Sequence, residues 1–510
     1  MRRISLLSFL AFFVFFLNAC PAFAVQVKNL AVSKVGPTSA TLIVKADVAV
    51  DVTVDYGSLP GSYSASRSSF GQARHEITLA ELTPSSTVYY RLTITDSANP
   101  GSSIVLPEKS FHSSRSPGAP FSFAVGGDNR PNSDTTVQPA TWNTIVGQMA
   151  AENIDLSLNV GDMIYGLSAD SLDRFVAKYD GLFSVTAPLS ASAPIYNAIG
   201  NHEFVNVANG KAAYEQEFTL PVNNGSDAAT YGEHYYSFDN GNTHFIALST
   251  EIPGEWGLIT GNQKSWLAQD LAAASGKWIV VFMHRPLFRG THPYDPWVNT
   301  SNTAGQANKA EIHNLFVQNG VDVVFEGHDH FYLHHLEDGI QYIITGGGGA
   351  PLYSLPAPAP GDVFGASTHE HVKVDETAAS LHVSAIDTNG ATLESFTLGI
   401  PALALSLDRA YWASYADYTA GNLSVDYSMT NNGSGDAANI QVVYLVATNG
   451  VTSQTSTPFA VSDLKTGQSA PFTVNYQVSP GVSFFRATTY ATCNDLGGAS
   501  YSFPGAAPGP

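Results

Sequence analysis

Five stretches of this chain share one pattern, and it restricts the fold more than any other feature. Each is an apolar, β-branched run that ends on residues able to bind a metal ion. FSFAV precedes Gly126-Gly127-Asp128, IDLSLNV precedes Gly161-Asp162-Met163-Ile164-Tyr165, and PIYNAI precedes Gly200-Asn201-His202-Glu203. WIVVFM precedes His284, and a further apolar run leads into Phe325-Glu326-Gly327-His328-Asp329-His330. Short apolar runs bounded by turn residues read as buried strands. Five such strands aim hard or borderline metal ligands at one edge, and a chain that must do this is confined to a layered sheet architecture.

Between these runs the periodicity is helical. Trp142, Ile145, Val146 and Met149 share one helical face, as do Leu172, Phe175, Val176 and Tyr179, and residues 264–274 and 307–318 supply two further helices. A β-α-β rhythm predicts sheets with helices packed on their faces, with ligand-binding residues at the carboxyl ends of the strands. Tyr342-Ile343-Ile344 runs into Gly346 to Gly349. No helix start or lysine follows these glycines, so they read as a tight loop against the site rather than a phosphate loop. Leu381, Val383 and Ala385 alternate and are followed by Leu393 and Phe396, a pattern of antiparallel strands closing a second sheet.

The flanks are different. From Val25 to His112 the chain alternates with period two, as in Val50, Val52, Val54 and Tyr56, which predicts a β-sandwich of the fibronectin III or immunoglobulin kind over 25–113. SSRSPGAP (113–120) is the linker, and His75 reads as a surface histidine. The central domain spans 118–399. From 400 to 510 alternation returns in Leu423, Val425, Tyr427 and Met429 and again in Phe472, Val474, Tyr476 and Val478, a second sandwich. Neither sandwich carries a cluster of ionisable or metal-binding residues, so the chemistry belongs to the middle.

Composition narrows the partners. At 510 residues the chain exceeds one core. A net charge of −20 with 13% charged residues and no Lys/Arg cluster argues against a nucleic-acid phosphate groove. Residues 1–24 read as an export signal: Met1-Arg2-Arg3, an apolar stretch from Leu6 to Leu17 too short to span a bilayer, and Ala22-Phe23-Ala24 as the cleavage site. The expected location is secreted or periplasmic. A less favoured reading keeps Cys20 as a lipidated residue, which Asn18 and Pro21 fit poorly. If Cys20 leaves with the signal, Cys493 remains as a lone buried thiol.

Carboxylate, phenolate, amide and imidazole together exceed what one tetrahedral zinc needs, and two metals fit the count. An aspartate shared by metals about 3.5–4 Å apart would hold a bridging water, lower its pKa and clamp an in-line displacement at phosphorus.

In order, GD, GDxxY, GNHE, the histidine after an apolar strand, and GHxH resemble the purple acid phosphatases, a branch of the calcineurin-like metallophosphoesterases. The likeness covers Val25 to Gly399, and the amino-terminal sandwich is similar to that of the larger, plant-type members. It implies a central α/β metallophosphoesterase sandwich, two mixed sheets flanked by helices, behind the amino-terminal all-β sandwich; the carboxyl-terminal all-β sandwich, read from its alternation, lies outside the likeness. It further implies Asp128, Asp162, Tyr165 and His330 on a first metal, ferric iron. Asp162 would bridge to a second, zinc, manganese or ferrous iron, which Asn201, His284 and His328 complete. Tyr165 discriminates, because the wider superfamily usually has a histidine two residues after the first aspartate and no ligand tyrosine. Where the purple acid phosphatases have glycine two residues after that aspartate, this chain has Arg130, whose planar fork suits either a phosphate oxygen or a salt bridge at the rim. His202 is expected to touch the substrate or leaving group, with Glu203 orienting it, and His292 lies where relatives place further substrate histidines.

The expected function is hydrolysis of phosphate monoesters, with a phosphodiesterase as the alternative and, from a different class, a catalytically weak surface-binding protein.

Overall fold

The computed structural model describes residues 25–274, 276–448 and 450–508. The expected signal segment, and Cys20 with it, lie outside the described residues.

The two central sheets follow from the apolar runs. One has six strands in the order Thr392–Gly399, Ser380–Asp387, Glu370–Thr377, Phe121–Gly126, Leu156–Asn159, Ile195–Asn197. Its last three strands run parallel, and the other three add to the Phe121 strand antiparallel. The second has seven strands in the order Tyr236–Asn240, Thr243–Ala247, Trp278–Phe282, Val323–Glu326, Ile340–Thr345, Tyr332–Glu337, Asp362–Ala366. Its Thr243, Trp278, Val323 and Ile340 strands are parallel.

The sheets pack face to face through aromatic rings. Phe123 of the first sheet meets Phe245 edge-on at 5.1 Å and Phe325 at 6.4 Å. On the opposite face of the Phe121 strand the residues are small. Gly126 lies under Met149 and Trp142 of the helix Ala140–Ala151, where a Cβ would come within 3.2 Å of the Met149 methyl. The second sheet is covered on its outer face by the helices Gly261–Ala273 and Thr303–Asn319, with Leu267, Leu271, Ile312 and Phe316 in its core. The expected helical faces of 140–151 and 172–190 are buried at Trp142, Ile145, Val146, Met149, Phe175 and Tyr179. The helix Val207–Glu217, unanticipated from the sequence, packs Ala213 and Tyr214 into the same core.

The amino-terminal strands form a continuous sheet around the strand Ser39–Gly57, whose register breaks between Lys45 and Val50. Such a break bends a strand, and Val44, Val52, Tyr90 and Leu92 share one core. This unit is docked on the central one by Lys45 Nζ, 2.6 Å from Asp180 and 2.8 Å from Glu217, and by Tyr90 Oη, which donates to Ala191 O. His75 is buried rather than on the surface: Ser69 Oγ and Gln72 O each lie 2.8 Å from one of its ring nitrogens and satisfy both. The carboxyl-terminal strands form two four-stranded sheets over a core that includes the buried Cys493. They join the central unit through Asp436, which exchanges hydrogen bonds with Thr397, and through Gln341 Nε2, which donates to Leu496 O. Among the described residues no helix is long and apolar enough to cross a membrane.

Candidate metal centre

Three of the ligand-bearing turns leave their strands through the same backbone kink. Asp128, Asp162 and His328 each follow a glycine, and each has positive φ (51°, 52° and 68°). A residue other than glycine pays about 1–3 kcal/mol for such a conformation and keeps it only where the surroundings over-determine it. Here the surroundings are hydrogen bonds between the turns: Asp128 N donates to Gly161 O (2.9 Å), and His328 N donates to Asp128 Oδ2 (2.8 Å). The preceding glycines let the strand ends approach. A Cβ on Gly161 would lie 2.7 Å from Gly200 N, and one on Gly327 would lie 2.4 Å from Asp128 Oδ2.

The kinks bring six candidate ligands together. His284 Nε2 lies 3.1 Å from Asn201 Oδ1, 3.1 Å from His328 Nδ1 and 3.5 Å from Asp162 Oδ1. His330 Nε2 lies 3.6 Å from Asp128 Oδ1. Ligand atoms of Asp128, Asp162 and His284 all fall within 4.8 Å of one another, and all three residues are buried. Tyr165 stands half-buried beside this group, its ring stacked 4.8 Å from that of His202 and 5.2 Å from the Arg130 guanidinium.

The protonation pattern fits a cation. His284 Nδ1 donates to Val160 O (2.9 Å) and His330 Nδ1 to Pro351 O (2.7 Å). A carbonyl only accepts, so the proton sits on Nδ1 in both rings and each Nε2 presents a lone pair. Burial pushes the His284 pKa down to about 3 and that of His330 down to about 4, which leaves both rings neutral. Burial, and then the charge of Asp162, hold the Asp128 carboxyl well above the usual carboxylate range. Asp128 Oδ1 is buried without a hydrogen-bond partner. Lone pairs facing lone pairs around a fully buried, unpartnered carboxylate oxygen are costly unless a cation sits among them. The residues present therefore fit a metal.

The remaining expected residues surround this group. His202 N donates to Asp162 Oδ1 (2.9 Å), and its ring places Nδ1 3.3 Å from Gly166 O and Nε2 3.9 Å from Asp162 Oδ2. Arg130 is almost buried, and its Nε donates to Asp162 Oδ2 (3.3 Å). His292 is one-third exposed and lies 4.0 Å from the His328 ring. Glu203 does not orient the His202 ring as expected. Its carboxylate accepts from Asp162 N, Met163 N, Ile164 N and Gly200 N (2.9, 2.8, 3.2 and 2.8 Å), tying the GDxxY turn to the GNHE turn. A buried carboxylate held by four N–H donors and no side chain is a clamp on backbone.

Sequence reasoning passed over three residues at this site. Asp329, between the two histidines of GHDH, is fully buried and accepts from Thr291 N, tethering the loop that carries His292. Tyr353, just past the four glycines, stacks on His330 at 4.1 Å. Asp295 lies 3.1 Å from His328 Nε2. The only signal for Asp295 was its place three residues after His292. The four glycines do pack tightly against the site, since a Cβ on Gly348 would lie 2.2 Å from Gly127 O.

The central part of the chain is similar to known phosphoesterases. Residues 133–332 match the family of calcineurin-like phosphoesterases. Purple acid phosphatase 23 of Arabidopsis thaliana is 26% identical over 284 residues, 51% of this chain and 57% of that protein. Acid phosphatase type 7 of Homo sapiens is 28% identical over 193 residues, 35% of this chain and 40% of that one. This chain thus spans well under two thirds of the length of either relative. Among solved structures, a purple acid phosphatase from seeds of yellow lupin (Lupinus luteus) superposes with a TM-score of 0.60 at 18% identity, covering 74% of each chain. PhoD superposes with a TM-score of 0.56 at 15% identity, covering 73% of this chain and 90% of that one. These superpositions speak for the fold. Between its β-rich flanks the chain carries a calcineurin-like metallophosphoesterase domain, homologous to that of the purple acid phosphatases.

Proposed function

We propose that this chain hydrolyses phosphate monoesters at a pair of metal ions. The observation that carries the reading is the convergence of two fully buried aspartates on the lone pairs of neutral imidazoles at the carboxyl ends of two facing sheets. Asp128, Asp162, Tyr165 and His330 would hold the first ion, ferric iron. Asp162 would be shared with a second, zinc, manganese or ferrous iron, held also by Asn201, His284 and His328. When bound, such ions activate water for attack at phosphorus and neutralise the phosphate oxygens.

The chain's own residues supply the rest. Arg130 pairs with Asp162 through Nε, which leaves Nη2 of its fork for a phosphate oxygen. His202 is held at the edge of the group by its own backbone N–H on Asp162, so its ring, once protonated on both nitrogens, can hand the Nε2 proton to the leaving group without being drawn in as a ligand. His292, more exposed and 4.0 Å from the His328 ring, would contact the substrate. In this reading residues 1–24 direct export, and the units 25–113 and 400–510 carry no catalytic group.

Release of nitrophenol from aryl phosphate, compared with the bis-aryl diester before and after chelation, tests the proposal. Faster monoester turnover, lost with the metals and regained on adding them, is the expected result. A faster diester rate would make the chain a phosphodiesterase, and a folded, metal-bearing protein that turns over neither would make it a surface-binding protein. A visible charge-transfer band removed by Tyr165→Phe would identify ferric iron, whereas a colourless active enzyme would overturn the iron assignment alone.

A further inference from the structure

A metal-binding imidazole has a second nitrogen, and the group that accepts its proton decides which nitrogen is free for the metal. For His284 and His330 the acceptors are the backbone carbonyls of Val160 and Pro351. His328 is built the other way round. Its Nδ1 faces His284 Nε2, so its Nε2 points away from the group, and there it meets a carboxylate: Asp295 Oδ2, 3.1 Å away. His328 Nε2 is buried, and the carboxylate lies off the axis of its N–H, so the atom has no aligned hydrogen-bond partner. A small turn of the ring would align the two.

Asp295 is itself held in place. Arg285 Nη1 is bonded to its Oδ1. The same guanidinium grips the fully buried Glu251 through Nε (2.6 Å) and Nη2 (3.1 Å). Asp295 thus has one oxygen committed to a fixed cation and the other turned to His328. Ligand atoms of His292, Asp295 and His328 also lie within 4.8 Å of one another, which raises the alternative of a separate cation site. The arginine on Asp295 opposes it, because the positive charge needed there is already supplied.

We propose that Asp295 is a positioning residue for the second metal: its carboxylate accepts the Nε2 proton of His328 and so keeps the Nδ1 lone pair turned toward His284. This rests on the binuclear reading of the centre given above. The effect is on metal affinity, and outer partners of this kind are worth about 10–100-fold.

The test is zinc titration of the metal-stripped full-length chain against a competing chelator, with thermal melting of the metal-free protein alongside. Wild type should bind in two steps. Asp295→Ala should weaken one step by about 10–100-fold and leave the other unchanged, while loss of the pair with Arg285 lowers the metal-free melt. Asp295→Asn, whose amide oxygen still accepts one N–H, should recover part of the loss. If the alanine variant does not fold, the asparagine variant carries the comparison, with a smaller loss in the same single step. Unchanged steps in a two-step protein would overturn this inference alone, as would a loss shared by both steps. A third equivalent of zinc that disappears in Asp295→Ala would make the cluster a separate site. A wild type that binds no zinc would overturn both this inference and the reading beneath it.

Discussion

In the six-stranded sheet the candidate ligands are two carboxylates, a phenol and an amide, and N–H groups hold the carboxylate turns in place; in the seven-stranded sheet they are imidazoles, and oxygens hold them. Asp128 Oδ2 takes His328 N, Asp162 takes His202 N and Arg130 Nε, and Glu203 ties four backbone N–H groups into the same two turns. On the other side His284 and His330 give their Nδ1 protons to carbonyls, and His328 turns Nε2 to Asp295. The difference is chemical necessity. An ionised carboxylate only accepts, so it is fixed by donors, whereas a neutral imidazole that must offer one lone pair is fixed by an acceptor on its other nitrogen. The two halves therefore fail differently.

The largest expected effect removes charge from the acidic half. Asp162→Asn should lose metal and turnover together, by more than about 10³-fold on an aryl phosphate, since several kcal/mol of transition-state stabilisation depend on the ions. Metal analysis beside the rate checks it, and a variant that keeps two metals and a near-normal rate would place the shared ligand elsewhere. Next comes His202→Ala, where an imidazole sits among the acids without being one of the fixed bases. It should slow alkyl phosphates by about 10²–10⁴-fold and nitrophenyl phosphate far less, because a good leaving group needs little proton assistance. Equal losses on both substrates would point to positioning rather than proton transfer.

Glu203→Gln probes the acidic half without changing the side chain of a candidate ligand. Both oxygens of Glu203 face two N–H donors each, so an amide nitrogen on either side would meet donors. The expected cost is about 2–3 kcal/mol in a urea melt; an unchanged midpoint would mean that the carboxyl is already protonated.

The last effect, which vanishes at high pH, serves as a control for the imidazole half. His244 lies on the Thr243–Ala247 strand of the seven-stranded sheet, far in sequence from any candidate ligand, with Asp239 and Asp270 on its two nitrogens at 2.7 and 2.9 Å. Burial lowers its pKa, but the two carboxylates outweigh burial and push it up to about 9. A folded-state pKa above the unfolded value stabilises fully below about 6.5, and the stabilisation is lost as pH rises through about 9. Its upper bound is on the order of 3 kcal/mol. The gap in melting midpoint between wild type and His244→Gln should be widest near pH 6 and should close by about pH 10. A gap that ignores pH would show a neutral His244, and the contrast between acceptor-fixed imidazoles inside and outside the metal group would lose its control.

The local chemistry of the centre was legible because it is written in single turns. Apolar runs ending in GD, GDxxY, GNHE and GHDH specify strands and donors within about ten residues, and strand patterning is a short-range property. The buried state of His75 was not legible, because it depends on Ser69 and Gln72 curling back over the ring. Nor was the role of Glu203, which sits beside His202 in sequence yet takes three backbone N–H groups 39 to 41 residues away, besides that of Gly200.

What the sequence by itself determined is the candidate donor set and the strand ends that carry it, since residue type and apolar period are local. Only the tertiary structure decided which lone pairs face inward. His284 is oriented by a carbonyl 124 residues away in the chain, Asp128 by an N–H 200 residues away, and His328 by an aspartate in a loop that no motif marks. A tautomer is chosen by whatever acceptor the fold delivers to the far side of the ring, and that delivery depends on how two sheets pack.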